Sequence, residues 1–278
     1  MKKFLIPVDF SDASAQTLRF VFEMNKHFFA QLEVIHLFDV PFAIGDESLQ
    51  TINTFEEYKK SYTSSLWDFI NANKGDYHFD INVKVTAGGH YQGIMDYAKK
   101  SKANLIIIGN KGSGKHKRWR FGSVAKYLIT HPQVPVLAIP SDYSGGIKKI
   151  LWAADLVTPL TATHYSFLKE FAEKLQADIH IINVRERFDP SFEEEEYALS
   201  DIEKNIGIKP VVLQKKEGST IRQTIHEYEI SNNIDLLVTI PHYHTWLDRL
   251  LIGSETTELA DKEEIPILSL PEKMENLS

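Results

Sequence analysis

The stretch best suited to hold an anion is Ile108-Gly109-Asn110-Lys111-Gly112-Ser113-Gly114-Lys115-His116. It follows the apolar run Leu105-Ile106-Ile107-Ile108 and leads through Lys117-Arg118-Trp119-Arg120-Phe121 to Gly122-Ser123-Val124, where a helical pattern begins. Glycines let backbone N–H groups approach a phosphate closely, and a helix N-terminus adds partial positive charge. Ser123 can give its hydroxyl to a phosphate oxygen or cap the helix. Lys111, Lys115, Lys117, Arg118 and Arg120 raise the local potential in a chain whose formal net charge is −7. The same glycines also suit a plain tight turn, so both uses stay open at this point.

Gly109 to Lys115 fits the Gly-x-x-x-x-Gly-Lys pattern of a P-loop. That pattern needs Ser or Thr next, to hold magnesium, and a helix opening at once. His116 and a basic run stand there instead, and the P-loop reading is set aside.

Gly109-x2-Gly112-x9-Gly122-Ser123 resembles the Gly-x2-Gly-x9-Gly-[Ser/Thr] signature of ATP-binding universal stress proteins. Pro7-Val8-Asp9-Phe10-Ser11 is similar to that family's first strand end, Val34-Ile35-His36-Leu37 to its second strand, and Val134-Pro135-Val136-Leu137 to its last. The resemblance implies that Pro7, Val8 and Asp9 meet the adenine and ribose end, with Leu37 offering backbone contacts to the base. It implies that Ile108 and Gly109 line the nucleoside, and that Gly112, Gly122, Ser123 and Val124 wrap the phosphates. The ligand it implies is ATP, alone or with Mg, or another adenine nucleotide, in a cytoplasmic stress-response protein that regulates and hydrolyses at most slowly. Two other readings stand beside it: a slow ATPase or nucleotidyl-transfer enzyme using Lys115 or Arg118, and a ligand-free interaction scaffold. On residue chemistry alone, Asp9 can equally well accept N–H groups of the following turn and cap its helix. No Ser-His-Asp or paired-carboxylate constellation assembles beside the loop, so no catalytic residue is assigned.

Short β-branched runs alternate with helical patterns around these residues. Phe4–Val8, Leu32–Phe38, Asn82–Thr86, Leu105–Ile108 and Val136–Ile139 read as strands. Ser11 or Asp12 can cap a helix carrying Ala15, Leu18 and Phe22; Thr54–Ile70, a segment around Ile94, and Ser123–Ile129 read as further helices. Such alternation predicts right-handed crossovers and a parallel sheet covered on both faces.

The plan occurs twice. Gly122-Ser123 and Val134-Pro135 recur as Gly253-Ser254 and Ile265-Pro266, both 131 positions on; Phe4–Asp9 resembles Ile150–Asp155 at an offset of 146. This predicts an α/β protein of two tandem Rossmann-like, doubly wound domains, 1–142 and 147–273, each with a mainly parallel five-stranded sheet. Ser141–Gly146 has linker chemistry. In the second copy Pro159 suits the first turn of a helix, and Ile179–Val184, Val211–Leu213, Leu236–Ile240 and Ile267–Leu270 supply strands. The Glu193–Glu196 run reads as a solvated helix face. Only Gly253-Ser254 and Asp155 survive of the motif: Ile240 and Tyr243 stand at the positions of Gly109 and Gly112, filling the space that admits a phosphate. One adenine nucleotide per chain is therefore expected, in the first copy. His242 and His244, with Asp248, have the spacing of metal ligands but also of ordinary surface residues, and no metal site is assigned.

Composition narrows the partners. The absence of cysteine removes disulfides, thiolate metal sites and cysteine nucleophiles. One short basic loop in an acidic chain is a small footprint for nucleic acid. No run approaches ~18 apolar residues, so no membrane span is expected. The short apolar last strands, Val136–Ile139 and Ile267–Leu270, need a partner, because bare sheet edges are normally paired or covered. They are expected to join the copies as an intramolecular pseudo-dimer, and a homodimer of the whole chain is compatible with this plan.

Overall fold

The computed structural model describes residues 2–39, 49–78, 80–110, 122–154, 160–185, 192–215, 219–241 and 265–274. The first half runs β1 (Lys3–Pro7), α1 (Asp12–Phe28), β2 (Gln31–Phe38), α2 (Leu49–Asn73), β3 (Ile81–Ala87), α3 (His90–Lys100), β4 (Leu105–Gly109), α4 (Ser123–Thr130) and β5 (Val136–Ile139). The second runs β6 (Lys149–Ala153), α5 (Ala162–Leu175), β7 (Asp178–Arg185), α6 (Phe192–Ile206), β8 (Val211–Gln214), α7 (Ile221–Asn232), β9 (Leu236–Thr239) and β10 (Ile267–Ser269). The Glu193–Glu196 run falls in α6, where Glu196 is exposed. Pro159 lies outside the described residues, and α5 starts later than expected. Its N-cap is Thr161, which shares a capping box with His164.

The strands form one ten-stranded sheet in the order β3-β2-β1-β4-β5-β10-β9-β6-β7-β8. Every pair within a half is parallel. At the seam β5 and β10 pair antiparallel, with Ile267 opposite Ala138 and Ser269 opposite Val136. The last strands thus meet, as their apolar composition predicts, and the expected five-stranded sheets merge into one. Because the seam is antiparallel, the two halves point in opposite directions and their strand carboxyl ends lie on opposite margins of the sheet.

Side chains alternate between faces. Phe4, Ile6, Val34, Ile107 and Ile139 pack under α1 and α2, in a core that continues through Ile150, Trp152, Phe171 and Ile202 of the second half. Leu5, Ile35, Ile106, Ile108 and Ala138 pack under α3 and α4, continuous with Leu151, Ile182 and Leu237. Helices α1 and α5 meet across the seam through Phe28 and Phe171, whose ring centroids are 5.4 Å apart. Ser269 Oγ donates to Ile129 O at 2.7 Å, tying β10 to α4.

The duplication extends to individual hydrogen bonds. Asn104 Oδ1 accepts from the N–H groups of Lys2 and Lys3, each at 2.8 Å. Asp235 Oδ2 accepts from Lys148 and Lys149, also at 2.8 Å. The 141–146 connection is anchored at Tyr143. Its carbonyl accepts from Gln16 Nε2 (2.8 Å), its ring meets Phe20, and its hydroxyl donates to Gly146 O (3.0 Å).

Candidate functional site

Strand order reverses between β1 and β4: the chain passes from β1 to β2 and β3 on one side, then crosses to β4 on the other. Ligands of open α/β sheets bind beyond the strand carboxyl ends at such a switch point. Pro7 ends β1, with Val8 and Asp9 just past it; Leu37 lies near the end of β2, Ile108 and Gly109 end β4, and Gly122, Ser123 and Val124 open α4. These elements bring the named residues to one margin of the sheet. Gly112 and the five basic loop residues lie outside the described residues, as do Asp155, Tyr243, Gly253, Ser254, His242, His244 and Asp248.

Asp9 is exposed and turns its carboxylate onto its own chain. Its Oδ1 accepts from the Ser11 N–H (3.1 Å), the Ser11 hydroxyl (2.5 Å) and the Ser14 hydroxyl (2.7 Å). Ser11 caps α1 by accepting from the Ser14 N–H at 3.2 Å. Asp9 thus accepts from the following turn, but the helix cap is Ser11; Asp9 holds the hydroxyls of Ser11 and Ser14, and these bonds fix where its carboxylate stands.

Leu37 is placed by alternation along β2. Ile35 O accepts from Val8 N–H on the β1 side (2.9 Å), and Phe38 O from Gly88 N–H on the β3 side (3.4 Å). The N–H and C=O of Leu37 therefore face β1, two residues beyond the last β1 partner, Pro7 opposite Ile35. Its side chain is buried against α3, where a Cβ at Gly93 would come within 2.6 Å of Leu37 Cδ2. Only the backbone of Leu37 is offered at the site. Ile108 differs: its side chain lies in the core beneath α3 and α4, and its N–H and C=O face β5 within the ladder, so it lines the site without offering a backbone group.

Gly122 is the N-cap of α4, in extended geometry, with no side chain to satisfy the helix start. Its own N–H donates to Asn110 O, so it is committed to the loop and not open to a phosphate. Among the described residues no side chain caps the N–H groups of Ser123, Val124 and Ala125 at the helix start, the arrangement that favours an anion. Ser123 is exposed and Val124 half-buried.

Gly109 owes its missing side chain to packing. A Cβ there would lie 3.0 Å from Thr17 Oγ1 and 3.1 Å from Ala13 O, so glycine lets α1 seat closely on β4. This changes the reason given for the second copy. Ile240 is buried in the core shared with α5 and α6, so its side chain follows the direction that leads from Gly109 into a helix. It does not occupy the sheet margin.

Two residues of the site carry no obvious motif. Asn110 is fully buried; its N–H donates to Ile139 O (2.8 Å) and its Oδ1 accepts from Ser141 N–H (3.2 Å), fastening the start of the loop to the end of β5 and the residues after it, while its carbonyl accepts from Gly122 N–H at the other end of the loop. His36 is buried between the rings of Phe10 (4.5 Å) and Tyr62 (4.9 Å), with Nδ1 2.9 Å from Val8 O. A carbonyl only accepts, so Nδ1 carries the proton. Burial holds the pKa of His36 below its ordinary value, and the nearby His90 adds to this, against the Val8 hydrogen bond and Asp9. The available signal was a histidine inside an apolar strand and an asparagine among glycines.

The model of the universal stress protein family matches residues 1–140. Universal stress protein MJ0531 of Methanocaldococcus jannaschii is 27% identical over 138 residues, covering 50% of this chain and 81% of that protein. Universal stress protein Slr1230 of Synechocystis is 28% identical over 183 residues, covering 61% of this chain and 58% of the relative. Among solved structures, a universal stress protein from Archaeoglobus fulgidus aligns over 98% of both chains with a TM-score of 0.66 at 18% identity. A protein of unknown function from Pseudomonas aeruginosa, PA1789, aligns over 98% of this chain and 92% of its own with a TM-score of 0.59 at 14% identity. These two likenesses concern the fold, and both extend through the two halves. With half of its length matched by the family model and the tandem fold aligned nearly end to end, the chain belongs to the universal stress protein family.

Proposed function

We propose that the first half, residues 1–142, binds ATP or another adenine nucleotide, alone or with Mg, and serves in stress response as a regulatory binding unit. The second unit, 147–273, acts as a scaffold with an altered motif. One observation carries the reading. Among the described residues, two sets of backbone groups without ladder or side-chain cap partners flank the β1–β4 gap: the Leu37 N–H and C=O on one side, and the first N–H groups of α4 on the other. A donor beside an acceptor complements the edge of a purine base, and a bare helix start complements phosphate. The glycine signature supports the same division.

Calorimetric titration with ATP tests this. The expected stoichiometry is one per chain. Gly122→Val puts methyl groups over the α4 donors, because an N-cap side chain lies against the N–H groups that follow it. Losing one charge-assisted phosphate contact costs ~1.5–3 kcal/mol, a roughly ten- to hundredfold weaker affinity. Gly253→Val is expected to leave ATP binding unchanged. Unaltered affinity in Gly122→Val, or two sites per chain, overturns the assignment. Mass spectrometry of ligand released from the purified protein identifies the nucleotide.

A further inference from the structure

In a parallel ladder the residue whose N–H bonds one carbonyl of its neighbour also returns its own carbonyl to the N–H two residues further along. Val8 N–H donates to Ile35 O, so continuation of the β1–β2 ladder would give Val8 O to the N–H of Leu37. The ladder stops instead: its last register pair is Pro7 opposite Ile35, and Val8 O accepts from the imidazole of His36 at 2.9 Å. The ring is held there by Phe10 and Tyr62. Phe10 has a left-handed backbone (φ 62°), a conformation that costs a non-glycine residue energy, and its ring also packs on Phe69.

The second half repeats the arrangement with a different side chain. Ala154 N–H donates to Ile182 O at 2.9 Å, and the β6–β7 register ends at Ala153 opposite Ile182. The carbonyl of Ala154 accepts from Asn183 Nδ2 at 3.0 Å. Asn183 is 4% exposed, and its Oδ1 is buried without a hydrogen-bond partner among the described residues. An amide is thus retained there at the cost of an unsatisfied atom. The interaction common to the imidazole and the amide is a donated hydrogen bond that keeps this carbonyl from the following backbone N–H.

We propose that His36 is a positioning residue for the nucleobase: by occupying Val8 O it holds the Leu37 N–H open for the base edge. This rests on the nucleotide reading of the first half. His36 does not touch the ligand; it acts through Val8 and Leu37. Asn183 does the same for the Val184 N–H in the second half.

The test uses the full chain with His36→Phe, which keeps an aromatic ring but removes the donor, and His36→Asn, the side chain the second half already uses. Amide hydrogen exchange at Leu37 is followed without ligand, and affinities for ATP and adenosine are measured by calorimetry. In His36→Phe the Leu37 amide is expected to exchange about five- to tenfold more slowly, because its N–H closes onto Val8 O. Simple loosening of the fold would accelerate it. ATP and adenosine are expected to bind about tenfold more weakly in His36→Phe, whereas His36→Asn restores both exchange and affinity. Equal or faster Leu37 exchange in His36→Phe, or an equal loss of affinity in His36→Asn, overturns the proposal. If the wild-type chain binds neither adenosine nor ATP, the nucleotide reading fails, while Leu37 exchange still decides whether His36 holds that N–H open. Should His36→Phe not fold, Asn183→Leu reads the same device at the Val184 amide: slower exchange supports it, and unchanged exchange overturns it.

Discussion

At the residue scale, two buried histidines link the fold to pH. His36 donates from Nδ1 to Val8 O. His164 has the opposite tautomer: Nδ1 accepts from Thr161 N–H at 3.1 Å, so Nε2 carries the proton given to Pro271 O at 2.8 Å. Burial lowers both pKa values from the ordinary 6.5. Between the folded and unfolded pKa the unfolded chain binds more protons, so stability rises with pH there. Both histidines therefore contribute stability that is complete above about pH 6.5 and lost as pH falls through their lowered folded values. Urea midpoints are expected to drop between pH 7.5 and pH 5.5. The slope should flatten in His36→Asn, which has nothing to titrate; an unchanged slope would remove His36 from this account.

At the element scale, the seating of α1 on β4 depends on one missing methyl group. A Cβ at Gly109 would stand 3.0 Å from Thr17 Oγ1 and 3.3 Å from the carbonyl carbon of Ala13. Thr17 Oγ1 is itself held by Ala13 O at 2.8 Å, so neither neighbour swings away freely and the helix must shift. Gly109→Ala is expected to lower stability by ~1–3 kcal/mol, read as a fall in denaturant midpoint with unchanged slope. Stability equal to wild type would show that α1 yields without cost. The same contact accounts for a glycine at this position before any ligand is considered, so the signature glycines do not all serve one purpose. Gly109 admits a helix, and Gly122 leaves a helix start uncapped.

At the scale of the whole molecule, the seam makes one folding unit of two similar halves. Each face has a core that runs through β5 and β10, and Tyr143 fastens the connection to α1. A single cooperative thermal transition is expected by calorimetry. Phe171 is fully buried and meets both Phe28 and Phe167, so Phe171→Ala is expected to cost ~3–5 kcal/mol. It should shift that one transition as a whole. Two separated transitions, with only the second moved, would show that the halves fold independently. Among the described residues no helix is long and apolar enough to cross a membrane.

The sequence by itself determined the class of fold, because periodicity and burial are local properties. Leu105–Ile108 is apolar throughout since a central parallel strand is covered on both faces, and paired offsets of 131 and 146 reveal duplication without any contact being known. It also placed Gly109 at a strand end and Ser123 at a helix start, on either side of the glycine loop. Tertiary structure alone decided what each residue does there. Whether Ile240 faces a ligand or a helix depends on where α5 lies, and whether Gly109 serves phosphate or packing depends on Thr17 and Ala13. The partner of Val8 O is set by a side chain 28 positions away. Such choices turn on distances of a few tenths of an ångström between segments remote in the chain, and residue spacing along one strand or helix does not encode them.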